Sequence, residues 1–172
     1  DDDEAHDPAA LPECANGADD DGDGGTDYPA DLDCRAAGGT TEQPSCDSDV
    51  PLTRVVAPGG RYTLQTEGFD RYQATCGAPT GPEQALAIRI DRPSNLRLTV
   101  ENNTYDTVLF VRGACDAAAT ELGCNDDTNG LASEVRLDGL AAGTYFAFLD
   151  GYAGATGQAD VVVEITPLRF GP

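Results

Sequence analysis

Between Cys14 and Cys34 the chain reads CANGADDDGDGGTDYPADLDC, with seven aspartates and almost nothing to bury. Like charges this dense repel, and a plain acidic run stays solvated and unfolded. The spacing here is not that of a plain run. Asp19, Asp21 and Asp23 alternate and are followed by Gly24. Alternate carboxylates converge on one cavity when a chain curls, a glycine in the sixth place permits the sharp turn, and the next ligand is a backbone carbonyl. That carbonyl belongs to Gly25, and Asp27 takes the ninth place, where ligation often runs through water. The closing position, usually a bidentate Glu, is Ala30; Asp31 and Asp33 just beyond it are the substitutes. The chemistry expected is oxygen ligation of Ca2+, which supplies the positive charge that lets the loop fold.

Catalytic chemistry finds little support. Ser45, Ser48, Ser94 and Ser133 lie outside any GxSxG context, and the one histidine, His6, sits in the acidic head. Ser-His-Asp and Cys-His arrangements therefore have no base. Carboxylate pairs such as Asp126 and Asp127 raise a glycosidase reading, but a general acid needs an apolar pocket to raise its pKa, and "CNDDTNG" reads as an exposed loop. Tyr105, Tyr145, Phe146, Phe148 and Tyr152 are read as core before they are read as a sugar platform.

The six cysteines are Cys14, Cys34, Cys46, Cys76, Cys115 and Cys124. An even count without CxxC pairs points to disulfides, not zinc, and to an oxidising compartment. Nearest-neighbour pairing is expected: 14–34 closing the acidic loop, 46–76, and 115–124 closing "CDAAATELGC".

The net charge is −21, from 31 acids and ten basic residues, all arginine. The charge is uneven: residues 1–49 hold sixteen acids and one Arg. A chain with no basic patch excludes nucleic acid and anionic membrane surfaces as partners. No apolar run is long enough to cross a bilayer as a helix. A salt-loving source is a second explanation of the acidity. The opening "DDDEAHDP" reads as a mature N-terminus or as the start of an excised domain.

The elements that must position these residues are short strands. From Leu52 the apolar runs TRVVA, RYTLQT, ALAIRI, NLRLTVE, TVLFVR, SEVRLDG, TYFAFLD and ADVVVEI recur between Gly-, Asn-, Asp- and Pro-bearing turns. Leu86, Ile88 and Ile90 share one face, as do Leu96, Leu98 and Val100, and Val161, Val163 and Ile165. Period two with β-branched residues marks half-buried strands. About eight strands with turns this frequent predict an all-β, antiparallel, jelly-roll-like β-sandwich carrying an N-terminal Asp-rich calcium loop. The expected layout is an acidic tail over 1–13, the Cys-fenced loop over 14–34, a connector over 35–51 and the sandwich over 52–172.

The loop resembles a thrombospondin type 3 or dockerin-like calcium repeat over about twenty residues, with Ala30 as the departure. The motifs NNTYDTVLFVRGAC, ELGCNDDTNG and FLDGYAG resemble the bacterial pre-peptidase C-terminal domain over residues 46–166. That resemblance implies a jelly-roll-like sandwich attached to secreted enzymes or surface proteins, and a second cation site drawn from Asp106, Asn125, Asp126, Asp127 and Asp150. The functional expectation is a secreted, non-catalytic, calcium-stabilised structural or adhesive protein of the cell exterior, self-associating into an array or filament. An accessory module of a secreted hydrolase, binding polysaccharide or protein, is the alternative.

Overall fold

The computed structural model describes residues 11–18, 26–28, 38, 46, 50–68, 70–128 and 130–169. The chain divides into two compact units, 1–44 and 45–172. In the first, the backbone makes a short 3-10 turn at Glu13–Ala15. Tyr28 N–H returns to the Cys14 carbonyl at 3.1 Å.

The second unit is a β-sandwich. Among the described residues it has nine strands: β1 Leu52–Val55, β2 Gly59–Gln65, β3 Gln84–Ile90, β4 Ser94–Glu101, β5 Thr107–Arg112, β6 Glu121–Asn125, β7 Glu134–Leu140, β8 Gly143–Gly151 and β9 Gln158–Pro167. One sheet has the order β1-β3-β8-β5-β6, the other β2-β9-β4-β7. All pairings are antiparallel except β1 with β3. Parallel neighbours need a long crossover, and here the chain leaves β1, builds β2 in the opposite sheet and returns.

Leu86, Ile88, Ile90, Leu96, Leu98, Val100, Val161, Val163 and Ile165 all lie in the core between the sheets, where their alternation predicts them. Each fully buried side chain of this kind contributes roughly 1.5–3 kcal/mol. β6 is absent from the alternation because Gly123 and Cys124 interrupt it. It is held by pairing with β5 instead.

The five-stranded sheet departs from the one-face expectation. Every residue of β5 is buried, and so are the last six of β8. Its second face carries Ala85, Ala87, Val108, Phe110, Phe146 and Phe148, packed against Val50, Tyr72 and Cys115. Cys46, Val50 and the segments around residues 70–76 and 113–120 supply this cover. Cys46 and Val50 thus pack with the sandwich although they fall in the expected connector.

The disulfides staple these covering segments, and two expected pairs are corrected. Cys46 bonds Cys115 with Cα atoms 5.2 Å apart, and Cys76 bonds Cys124 at 5.8 Å; the 46–76 and 115–124 pairs do not form. Proximity over the sheet, not along the chain, sets the partners. Cys124 stands opposite Phe110 in the β5–β6 ladder, on the covered face, where the 70–76 segment reaches it. Cys14 is disulfide-bonded, and its expected partner Cys34 lies outside the described residues.

Arg112 completes the cover. It is 2% exposed, and its guanidinium lies 5.2–5.5 Å from the ring centroids of Tyr72, Phe110 and Phe148. Nη1 donates to the Cys115 carbonyl at 3.2 Å and Nη2 to the Gln73 carbonyl at 2.6 Å. One cation therefore ties two covering segments to each other over an aromatic floor.

Candidate metal centre

β3 and β8 pair so that Gln84 faces Leu149 and Ala85 faces Phe148. One further step along this ladder sets Glu83 opposite Asp150. By alternation both side chains belong to the face that carries Ala85 and Phe148. Two carboxylates directly opposite on one face of an antiparallel pair repel. Both are also withdrawn from water: Glu83 is 1% exposed and Asp150 0%.

The covering segment brings a third. Oxygens of Asp70, Glu83 and Asp150 lie within 4.8 Å of one another, the one such acidic group among the described residues. Asp70 is exposed and accepts from Gln73 Nε2 at 2.8 Å. Glu83 is gripped by backbone: Arg71 N–H reaches both its oxygens at 3.0 and 3.2 Å, and Tyr72 N–H reaches Oε1 at 3.0 Å. Asp150 Oδ1 accepts from Gly151 N–H at 2.6 Å. Its other oxygen, Oδ2, is buried and has no hydrogen-bond partner.

Burial pushes the Glu83 carboxyl up to about 7, with the charges of Asp150 and Asp70 adding and the Arg71 and Tyr72 N–H groups opposing. Burial likewise pushes Asp150 up to about 7, against the N–H groups of Gly151 and Gly81 and with the charge of Asp70. Close packing bounds the site beside Asp150. A Cβ on Gly151 would stand 1.7 Å from the Ala155 carbonyl oxygen, and one on Gly81 3.1 Å from the same oxygen. The turn after β8 therefore folds directly over the strand end only with glycine at 151.

Of the residues expected to form a second cation site, Asp150 stands with Asp70 and Glu83. Asp106, Asp126 and Asp127 stay at the neighbouring end of β5 and β6, partly or fully exposed. Burial and the charges of Asp127 and Asp126 raise the Asp106 carboxyl. The Asn125 side-chain oxygen is committed to the turn, accepting from Thr128 Oγ1 at 2.7 Å and Glu134 N–H at 2.9 Å. In the N-terminal loop, Asp27 has φ 54° and its Oδ2 accepts from Gly17 N–H at 2.8 Å. Asp19, Asp21, Asp23, Gly25, Asp31 and Asp33 lie outside the described residues.

Sequence reasoning missed Glu83 and Asp70. A signal was present: Glu83 abuts an apolar run and shares parity with Ala85 and Ala87, small residues suited to a covered face. Of the aromatics, Tyr105, Phe146 and Phe148 are buried, whereas Tyr152 is 42% exposed. Beside the 70–76 segment an open cavity of about 550 Å³ is lined by Arg71, Tyr72, Gln73, Arg112 and Asp116.

No protein-family model and no curated protein matches this sequence. Among solved structures, the pre-peptidase C-terminal domain of a collagenase from Bacillus anthracis is similar, with a TM-score of 0.51 and 12% identity over 69% of this chain and 99% of that one. A periplasmic inhibitor of g-type lysozyme, PliG from Aeromonas hydrophila, aligns with a TM-score of 0.44 and 13% identity over 67% of this chain and 98% of that one. The first likeness is one of fold: a two-sheet β-sandwich of the pre-peptidase C-terminal kind.

Proposed function

We propose that the chain is an exported, non-catalytic, cation-stabilised module with a structural or adhesive role at the cell exterior. The observation that carries this reading is where the buried chemistry is spent. The Cys76–Cys124 disulfide, the Arg112 guanidinium and the Glu83 carboxylate bind covering segments onto one sheet, and the Cys46–Cys115 disulfide joins two parts of that cover. Disulfides of this kind persist in oxidising compartments. The fold invests in surviving outside the cell, and its Asp19–Asp33 loop offers Ca2+ a further stabilising site. Self-association into an array would cover the edge strands β1, β6, β2 and β7, and calcium would neutralise part of the acidic head.

The likeness to a collagenase domain favours a second reading, an accessory module that binds an extracellular polymer. Two measurements separate the readings. Light scattering of the full chain at high concentration, with saturating calcium and with chelator, should show calcium-dependent assembly. Co-sedimentation with collagen fibres and insoluble polysaccharides should show none. A monomer under all conditions that sediments with a polymer would replace the structural reading with the accessory one.

A further inference from the structure

We propose that Asp70, Glu83 and Asp150 form a calcium site in the body of the sandwich, and that the ion clamps the 70–76 segment over the five-stranded sheet. The site draws on none of the residues of the Asp-rich loop and stands whether or not the chain assembles.

The geometry asks for a cation. Three carboxylate oxygens lie within 4.8 Å of one another, two of the residues have no access to water, and Asp150 Oδ2 is buried without a partner. An acceptor-only oxygen in that position needs a positive ligand or a proton. Arg112 does not fill the role: the hydrogen bonds of its terminal nitrogens go to the carbonyls of Cys115 and Gln73, not to Asp150. Glu83 is arranged as an anion, accepting from two backbone N–H groups. The spacing admits calcium, whose ligand oxygens stand about 2.3–2.6 Å from the ion, so that opposite ligands are about 4.6–5.2 Å apart. Exposed Asp70 leaves one side open for water ligands, which calcium's coordination number requires. Asp70 comes from the covering segment, whereas Glu83 and Asp150 belong to the sheet, so one ion would bridge cover and floor.

The test is calcium titration calorimetry on the full chain, using calcium alone as the probe. A background in which Asp19, Asp21 and Asp23 are all changed to Asn removes the loop's ligands. In that background the chain should still bind one calcium, and Glu83→Gln or Asp150→Asn should abolish it. Asp70→Asn, an exposed change that leaves the core intact, should weaken binding about tenfold or more; it keeps the test valid if the buried variants fail to fold. Calcium should also slow tryptic cleavage after Arg71, and Asp70→Asn should remove that protection. Absence of binding in the loop-deficient background, or unchanged binding and protection in Asp70→Asn, would overturn the proposal and leave a shared proton as what neutralises the pair.

Discussion

Replacing Cys76 and Cys124 together by alanine tests both the disulfide pairing and the idea that the sheet's second face is a stapled core. The bridge spans 48 residues, which in the chain-entropy model corresponds to about 4 kcal/mol. The Cys46–Cys115 bridge, spanning 69 residues, overlaps that loop and already shortcuts part of it. Treating the two arcs between Cys76 and Cys115 as parallel paths reduces the effective loop to about 26 residues and the contribution to about 3.5 kcal/mol. For a chain of this length that lowers the melting temperature by about 7–14 °C. The assay is urea unfolding at fixed free calcium, followed by circular dichroism, with the denaturant slope checked for two-state behaviour. Peptide mapping of the unreduced wild-type protein runs alongside. A cooperative loss below about 1 kcal/mol would refute the energetic argument. Recovery of Cys46–Cys76 and Cys115–Cys124 peptides would refute the pairing itself.

Three further outcomes follow from the packing. Phe148 is fully buried and stacked 4.8 Å from Phe110, so Phe148→Ala should cost about 3–5 kcal/mol in urea unfolding, and a much smaller loss would mean that the second face is not close-packed. Gly151→Ala places a methyl group where the Ala155 carbonyl stands; it should lose about 1–3 kcal/mol by overpacking in the same assay and lower calcium affinity in calorimetry by displacing the turn beside Asp150. Arg97 pairs with Glu134 at 3.0 Å and Glu164 at 3.2 Å on the open face of the four-stranded sheet, yet its side chain is 43% exposed. Arg97→Ala should therefore cost less than about 1 kcal/mol, and a larger loss in thermal melts would show that these pairs are not surface-like.

The sequence alone determined the sandwich. The period-two runs around Leu96, Leu98 and Val100 and around Val161, Val163 and Ile165 have one apolar face each, and a face of that kind must be buried against another sheet. The spacing of Asp19, Asp21, Asp23 and Gly24 is equally local, so the expectation of a calcium loop needed no tertiary information. Tertiary structure decided what depends on strand register and crossover. TVLFVR reads as a strand in either case, but only the assembled sheet shows that its second face is covered and by which segments. Cysteine partners follow the same logic: Cys76 meets Cys124 because both border the covered face, although Cys46 is closer to Cys76 in sequence. Glu83 and Asp150 stand 67 positions apart, and Asp70 belongs to a segment without periodicity. No local pattern records that the β3–β8 ladder sets the first two opposite each other or that the covering segment lowers the third onto them. Such juxtapositions are set by long-range pairing, whose register is fixed by the whole hydrophobic pattern and not by the residues that end up adjacent.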